Sequence, residues 1–285
     1  MIQNIAVSGN TKVVGLIGHP VQHSLSPAIH NAAFNHLGLD WVFTVFDVAP
    51  EHGDHAIEAA RVLGIEGLSV TMPHKANVAA TVDQLTSQAA KLNAVNCVYR
   101  AGNKMVGDNT DGAGFVASLL EDAEFVPKGK TCVVFGAGGA ARAVILALAE
   151  AGAGEIVVVN RTVETAQLAV SLAPEVARVG EASAVGRADL VVNCTSIGMH
   201  SDSDPAQVNR SPVNPELLRQ GQVVADLVYH PLQTRLMQDA TAKGSQVVGG
   251  LGMLVHQAAV AFTKWTGEAA PLAVMKAAVE GHLVD

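Results

Sequence analysis

The sequence predicts an α/β protein built from two domains, and three observations support this prediction. The chain has 285 residues, which is enough for two domains of ordinary size. Apolar, β-branched runs alternate with helical segments, which is the pattern of an α/β fold with a largely parallel sheet. In the second half, a glycine-rich turn joins one of these runs directly to a helix.

Composition and charge exclude several classes of function. The formal net charge is -8 and aromatic residues make up only 4% of the chain, so we expect no nucleic-acid surface. No apolar stretch reaches the roughly 20 residues of a membrane span, and residues 1–6 lack the basic start of a signal peptide. Cys97, Cys132 and Cys194 lie scattered in apolar runs, as buried, reduced thiols of a cytoplasmic protein do. Monomer and homodimer both stay open.

The eleven histidines raise the question of a metal site. His52, Asp54 and His55 come nearest to a ligand cluster, but they follow Pro50, where a helix should begin. Acidic side chains near a helix start are favoured by the helix dipole. We therefore expect an exposed helix start at this point and no metal.

Glycine and proline divide the first half into alternating strands and helices. The predicted strands cover 11–18, 41–48, 69–71 and 94–99, and the predicted helices cover 26–37, 51–63 and 76–90. Ser26 followed by Pro27 is typical of a capped helix start. Gly38 and Gly64 stop the first two helices.

Several polar side chains follow the ends of these predicted strands. Ser24, Ser26, Thr71 and Lys75 all come after a strand, and ligands collect at the carboxyl ends of strands in such sheets. An ammonium beside hydroxyls can hold an oxyanion or move a proton, although a single lysine after a strand is more often only solvated. Asn96 lies inside its predicted strand and can contribute if its face turns the same way.

The segment from Gly107 to Gly112 places two carboxylates, an amide and a hydroxyl between glycines, before a predicted helix over 115–120. One interpretation is an ordinary capping turn, since Asp and Asn are favoured there. The functional interpretation is a polar elbow that joins the two domains, with Asp111 facing a cleft between them.

The second half contains a dinucleotide-binding pattern. A strand over 130–135 is followed at once by a glycine-rich turn and then by a helix over 142–151. This G-x-G-x-x-A turn between a strand and a helix is the fingerprint that holds a pyrophosphate. The predicted cofactor-binding turn consists of Gly136, Ala137, Gly138, Gly139, Ala140 and Ala141.

The next strand, over 155–159, ends in Asn160, Arg161 and Thr162. An NAD site usually ends this strand with an acid that binds the ribose 2′-hydroxyl, whereas a guanidinium suits a 2′-phosphate. The sequence therefore predicts NADP rather than NAD. The alternative is that Arg161 only caps or pairs at the surface, and the missing acid argues against it.

Later strands cover 189–194, 222–228 and 245–248, and two helices cover 253–265 and 271–283. Thr195 and Tyr229 follow the first two strands in polar turns. Gln257 lies one turn into the first helix among apolar residues, where a polar side chain needs a partner or an outward face.

Together these motifs resemble the shikimate dehydrogenase family, in the family's order and over nearly the whole chain. The matching segments are Ser24–Pro27, Ser69–Lys75, Asn93–Asn96, Gly107–Gly112, Gly136–Arg142, Asn160–Thr162 and Gly252–Gln257. The resemblance implies a reversible, NADP-dependent reduction of 3-dehydroshikimate to shikimate, a step towards chorismate and the aromatic amino acids. It also implies a substrate domain over 1–111, completed by about 252–285, and a Rossmann-like NADP domain over 112–251, with a cleft between them.

The resemblance also assigns roles to residues. Lys75 would exchange the proton of the reacting hydroxyl, and Asp111 would orient that hydroxyl and hold the lysine. The implied substrate-binding residues are Ser24, Ser26, Ser69, Thr71, Asn96, Asp111, Tyr229 and Gln257. The 136–141 turn would hold the pyrophosphate and the 160–162 segment the 2′-phosphate. The nicotinamide end would be lined by Thr195, Leu227 and Gly250.

Ser69 departs from the family pattern, because many relatives carry asparagine there. Serine is shorter and lacks the amide donor, so quinate or an amino analogue stays open as the substrate, and NAD stays open as the cofactor of such a relative. A third hypothesis is a cofactor-binding protein without turnover. The presence of both Lys75 and Asp111 argues against it.

Overall fold

The computed structural model describes residues 7–200 and 203–283. Residues 1–6, in which the sequence predicts no signal peptide, lie outside the described residues. The chain divides into two compact units, Met1–Thr110 with Gln257–Asp285, and Asp111–His256. The sequence-based boundaries lay after 111 and near 252, and the functional assignment of these domains stays a prediction.

The first unit is a sheet covered by helices. Its strands are β1 (Lys12–Gly18), β2 (Trp41–Asp47), β3 (Gly67–Val70), β4 (Gln84–Leu85), β5 (Cys97–Ala101) and β6 (Lys104–Asp108), in the order β2-β1-β3-β5-β6-β4. Its helices before residue 111 are α1 (Ser26–Leu37), α2 (Gly53–Val62), α3 (Lys75–Thr81) and α4 (Ser87–Leu92).

This sheet is mixed, which corrects the expectation of a largely parallel one. β1 is parallel to β2 and β3, but β5 is antiparallel to both β3 and β6. β5 and β6 form a hairpin whose turn contains Gly102 at φ 62°, a conformation that glycine adopts without strain. The sequence-based assignment missed β6, and β4 interrupts the helix expected over 76–90.

The second unit is a doubly wound sheet. It contains α5 (Asp111–Ala123), β7 (Thr131–Phe135), α6 (Gly139–Glu150), β8 (Glu155–Val159), α7 (Val163–Val170), β9 (Ala177–Val179), β10 (Leu190–Asn193), β11 (Val223–Asp226), α8 (Arg235–Ala242) and β12 (Gln246–Gly249). The strand order is β12-β11-β10-β7-β8-β9, and each neighbouring pair is parallel. This is the order of dinucleotide-binding sheets, whose direction of winding reverses between β7 and β10.

Both faces of the second sheet are buried, as its β-branched strands predict. Val134 belongs to one apolar cluster together with Phe115 of α5 and Ile145 of α6. Val133, on the opposite face, belongs to a second cluster with Leu236 of α8. The sequence-based assignment did not include α7, α8 and β9.

The last two helices are α9 (Gly250–Thr266) and α10 (Leu272–Leu283). In the first unit, Trp265 of α9 donates its indole N–H to the carbonyl oxygen of Val98, 2.9 Å away. In the same unit, α10 packs against α1. Within the described residues, no helix is long and apolar enough to cross a membrane. The cysteines are free, and burial raises the pKa of each thiol.

Candidate active site

Several of the predicted substrate residues lie at one edge of the first sheet. Gly18 ends β1, and a Cβ added to it would lie 2.3 Å from Thr71 Cγ2, so the chain after β1 passes directly beside Thr71. The amide of Thr71 donates to the carbonyl oxygen of Ile17 over 2.9 Å. The loop that carries Ser24 and the turn that follows β3 are therefore adjacent.

Lys75 begins α3, and hydrogen bonds made by the preceding residue and by its own carbonyl oxygen fix its backbone. The preceding residue, His74, is fully buried, and its Nε2 lies 2.8 Å from the carbonyl oxygen of Val48. The Lys75 carbonyl oxygen accepts a hydrogen bond of 2.9 Å from the amide of Val95. The backbone of the half-buried Lys75 is therefore fixed at the start of α3. Its hydrogen-bonding partner, Val95, directly precedes Asn96 in the chain.

Asn96 precedes β5 and does not lie inside a strand, which corrects the sequence-based placement. Because β5 is antiparallel to β3, its amino end meets the carboxyl end of β3. The amide of Val70 accordingly donates to the Asn96 carbonyl oxygen over 2.7 Å. The asparagine thus reaches the Thr71–Lys75 edge because the pairing is antiparallel.

The side-chain amide of Asn96 holds Thr110, a residue that the sequence-based site did not include. Thr110 donates its backbone N–H to Asn96 Oδ1 over 2.8 Å, and Asn96 Nδ2 donates to Thr110 Oγ1 over 3.0 Å. Thr110 directly precedes Asp111, the first residue of α5. The only sequence signal was the hydroxyl between the two carboxylates of the 107–112 segment.

A buried ion pair was also missed. Lys264 Nζ of α9 lies 2.8 Å from Asp108 Oδ2, and Thr86 donates its hydroxyl to the other carboxylate oxygen. Burial alone would raise the pKa of Asp108, but the hydrogen bonds from Lys264 and Thr86 outweigh it and lower the pKa. Asp108 also accepts the amide N–H of Asn109, so this pair fixes the strand end that leads to Asp111.

The remaining substrate residues have separate places. Ser24 accepts a hydrogen bond of 3.3 Å from the amide of Ser26, and Leu25 is the N-cap of α1, so the expected cap at Ser26 is wrong. Ser69 is buried within β3. Gln257 lies half-buried on α9 in the first unit, whereas Tyr229 follows β11 in the second.

The predicted cofactor residues all follow strand ends of the second sheet. Because that sheet is parallel throughout, the carboxyl ends of its strands lie at one edge. The residues at or just beyond these ends include Gly136, Asn160, Thr195, Leu227 and Gly250. The expected crevice of a doubly wound sheet opens at this edge, between β7 and β10.

The glycine-rich turn fits a dinucleotide pyrophosphate. Gly136 has φ 106°, and a Cβ there would lie 3.1 Å from the carbonyl oxygen of Cys194, so only glycine fits without strain. A Cβ at Gly138 or Gly139 would meet no protein atom within 4 Å, so protein packing does not explain these glycines. They begin α6, whose exposed N–H groups suit an anion. The buried Nε of Arg142 has no hydrogen-bond acceptor, which an anion would supply.

The end of β8 is suited to a 2′-phosphate. Asn160 Nδ2 donates to the Thr162 carbonyl oxygen over 2.9 Å, which closes the turn around Arg161. The Arg161 side chain is exposed beside this turn, and no acidic residue stands at positions 160–162. The chemistry of the turn therefore matches a phosphate ester better than a free ribose hydroxyl.

The other end of the crevice is built from the turns after β10 and β11. Thr195 uses its hydroxyl internally, donating to Asn193 Oδ1 over 2.7 Å and accepting from the Ile197 amide. A Cβ at Gly250 would lie 2.4 Å from the Leu227 carbonyl oxygen, so α9 begins in close contact with the end of β11. Burial raises the pKa of Tyr229.

Comparison with known proteins identifies the family. Three family descriptions match the chain, "Shikimate dehydrogenase substrate binding domain" over residues 16–98, "Shikimate / quinate 5-dehydrogenase" over 120–211, and "Shikimate 5'-dehydrogenase C-terminal domain" over 250–280. A shikimate dehydrogenase (NADP+) from Methanopyrus kandleri is 47% identical over 296 aligned residues, covering 99% of this chain and 100% of the relative. The chain belongs to the shikimate dehydrogenase family.

Solved structures of this family have the same fold. A shikimate dehydrogenase crystallised with NADP+ is 40% identical, with a TM-score of 0.90 and coverage of 98% of each chain. A quinate dehydrogenase from Corynebacterium glutamicum, crystallised with NAD, is 30% identical, with a TM-score of 0.86 and coverage of 95% of this chain and 99% of that one. The prediction of the family and of its two-domain α/β fold is therefore confirmed.

Proposed function

We propose that this shikimate dehydrogenase homologue catalyses the reversible, NADP-dependent reduction of 3-dehydroshikimate to shikimate. The observation that carries the proposal is the sheet edge at which Thr71, Lys75 and the backbone of Asn96 meet. Hydroxyl, ammonium and amide groups at one edge suit a small carboxylate with several hydroxyls, whereas an apolar ligand would need an apolar pocket. Family membership supplies the reaction class.

NADP is the proposed cofactor. The 136–141 turn and the start of α6 would hold the pyrophosphate, with Arg142 as a further cation beside it. Asn160, Arg161 and Thr162 would hold the 2′-phosphate. Thr195, Leu227 and Gly250 would line the nicotinamide end, and the internal hydrogen bonds of the Thr195 hydroxyl leave its methyl group for this contact.

The nicotinamide supplies or accepts the hydride, and the chain provides position and the proton. In the direction of reduction, the Lys75 ammonium would donate its proton to the oxygen of the reacting carbonyl. Asp111 would orient that oxygen. Ser24 and Ser26 would bind the substrate carboxylate, and the remaining ring contacts would come from Ser69, Thr71, Asn96, Tyr229 and Gln257.

The two compact units correspond to two proposed roles. Met1–Thr110 with Gln257–Asp285 would bind the substrate, and Asp111–His256 would bind NADP. The free cysteines support a reducing, cytoplasmic location. Whether the protein is a monomer or a homodimer stays a question for measurement of its mass in solution.

The proposal is tested by following reduced cofactor during incubation with shikimate and NADP+. The wild-type chain should turn over, and Lys75→Ala should lower kcat by roughly 10²- to 10⁴-fold, the usual contribution of general acid–base catalysis. Lys91→Ala, which changes a lysine in the last turn of α4, is the control and should leave kcat unchanged. Undiminished turnover by Lys75→Ala would remove the lysine from the mechanism.

Quinate is the second candidate substrate, and Ser69 favours it. The serine is buried in β3 next to the proposed ring-binding residues, and it presents a shorter polar group than asparagine would. A structural neighbour is itself a quinate dehydrogenase. A larger kcat/KM for quinate than for shikimate would replace the substrate assignment and leave the reaction class intact.

A further inference from the structure

A fully buried polar network lies where β10 and β11 end. Asn193 and Asp226 are the last residues of these strands and are register partners. Asn193 is 0% exposed, Asp226 1% and Thr234, just before α8, 0%. Buried polar groups of this kind cost free energy unless each is hydrogen-bonded, so the partners of each atom are informative.

The side chain of Asn193 uses its full hydrogen-bonding capacity. Its Nδ2 donates to Asp226 Oδ1 over 2.9 Å and to the Ile197 carbonyl oxygen over 3.1 Å. Its Oδ1 accepts the backbone N–H of Thr195 over 2.9 Å and the Thr195 hydroxyl over 2.7 Å. The asparagine therefore holds the turn 195–197 in one conformation.

Asp226 receives three neutral donors. Besides Asn193, the Val228 amide donates to Oδ1 over 3.1 Å, and the Thr234 hydroxyl donates to Oδ2 over 2.6 Å. Burial raises the pKa of Asp226, and these hydrogen bonds oppose the shift. The carboxylate thereby ties the segment after β11 to the same network that holds the turn after β10.

The carboxylate also determines which way the Asn193 amide points. An asparagine side chain can exchange its oxygen and nitrogen by a half-turn, because the two ends are nearly equal in size. A carboxylate only accepts hydrogen bonds, so it requires the NH₂ group on its own side. The carbonyl oxygen of Asn193 must then face Thr195, which needs an acceptor.

We propose that Asp226, acting through the orientation of Asn193, is a positioning residue for hydride transfer. The network holds Thr195 and the start of the segment 227–229, which line the nicotinamide end under the proposed function, on which this inference rests. Replacing the pair by apolar residues would avoid the cost of a buried carboxylate. The function of the network is therefore to fix the turns after β10 and β11 relative to each other. Misplacement of the reacting groups by about 1 Å can cost roughly 10²-fold in rate.

The test is Asp226→Asn, which keeps the shape but removes the requirement on the Asn193 amide. We expect kcat to fall by about tenfold to a hundredfold, while KM for NADP and for shikimate stays within about threefold, because the phosphates and the substrate carboxylate are bound elsewhere. Asp189→Asn is the matched control. It removes a carboxylate that accepts the Thr131 amide just before β10, at the opposite end of that strand, and it should leave kcat unchanged.

Amide hydrogen exchange without ligand gives the independent measurement. The amides of Thr195, Ile197 and Val228 should exchange faster in Asp226→Asn than in the wild type, and those of the Asp189→Asn control should not. Thr234→Val removes one hydrogen-bond donor to the carboxylate and serves as the second variant if Asp226→Asn does not fold. It should lower kcat and speed exchange at the same amides, as expected for Asp226→Asn.

Kinetics within about twofold of the wild type, or unchanged exchange at these amides, would overturn the inference. A loss of kcat accompanied by an equal loss of NADP binding would also overturn it, since the network would then serve cofactor binding in general. If the wild type has no turnover with shikimate and NADP+, the proposed function fails and the link to hydride transfer fails with it, whereas the exchange measurement on the same proteins still decides whether Asp226 holds the two turns.

Discussion

Lys264→Met should destabilise the first unit by removing the cation from a buried carboxylate. Lys264 Nζ lies 2.8 Å from Asp108 Oδ2 and 5.0 Å from the centre of the Tyr99 ring. Methionine keeps most of the volume and the contact with the ring, so the substitution removes mainly the charge. Breaking a buried ion pair on one side costs roughly 3–5 kcal/mol. The lysine side chain is 28% exposed, so water compensates in part, and we expect about 2 kcal/mol.

The assay is thermal unfolding followed by circular dichroism at two pH values. A loss of about 2 kcal/mol corresponds to a fall in Tm of roughly 3–4 °C for a chain of 285 residues. The pKa of Asp108 is lowered in the folded state, so its contribution is present above the unfolded pKa of about 3.9 and is lost as the pH falls through the folded pKa. The difference in Tm between wild type and variant should therefore be large at neutral pH and shrink below about pH 4.

Lys12→Met is the matched control for this prediction. Lys12 also lies 5.0 Å from an aromatic ring, that of Trp41, but its ion pair with Glu66 is 3.7 Å long and exposed. Such pairs contribute about 0–1 kcal/mol. The reasoning is refuted if both variants lose the same stability, or if the effect of Lys264→Met does not diminish in acid.

Three further predictions concern the cofactor site and the core. Arg161→Ala should raise KM for NADP by roughly tenfold to a hundredfold, because it removes charge-assisted hydrogen bonds to a phosphate. It should change KM for NAD little, and the control Arg178→Ala should change neither KM. Equal effects on both cofactors would contradict the 2′-phosphate role. Gly136→Ala should lower the free energy of unfolding by about 1–3 kcal/mol and weaken NADP binding, as measured by Tm and by titration. Gly186→Ala is the control and should do neither, because a Cβ there meets no atom within 4 Å. Burial lowers the pKa of His30 to about 3, whereas a histidine in the unfolded chain has a pKa of about 6.5. The folded state therefore binds this proton less readily than the unfolded state. The wild type should lose stability as the pH falls from about 6.5 towards 3. His30→Met should flatten that dependence of Tm on pH, and an identical curve would contradict the buried, neutral state.

The sequence predicts best those elements whose local pattern agrees with their environment. β8 is β-branched from Ile156 to Val159 with its middle residues buried, and its predicted bounds match the structure. β6 could not be predicted in this way, since its pairing with β5 depends on a hairpin turn and Gly107 interrupts its apolar pattern. At Gly107 a Cβ would lie 2.6 Å from Val95 Cγ2, so packing between distant segments requires the glycine.

The same distinction applies to the site. The glycine-rich turn was predictable because the whole signal lies within 136–141, next to a strand and a helix. The Asn193–Asp226 and Asp108–Lys264 pairs were not, because each joins segments far apart in the chain and no local pattern indicates which residues pair. Asn96 was recognised, but its place at the β3 edge depends on antiparallel pairing, which the expectation of a largely parallel sheet did not include.

The most direct test of the proposed function is a comparison of kcat/KM for the wild-type protein in four mixtures. Shikimate and quinate are each combined with NADP+ and with NAD+, and the appearance of reduced cofactor is followed. The proposed function predicts the largest kcat/KM for shikimate with NADP+, which would join Arg161 and the substrate edge in one reaction. A preference for quinate would contradict the substrate assignment, a preference for NAD+ would contradict the role of Arg161, and absence of turnover in all four mixtures would contradict the enzymatic function itself.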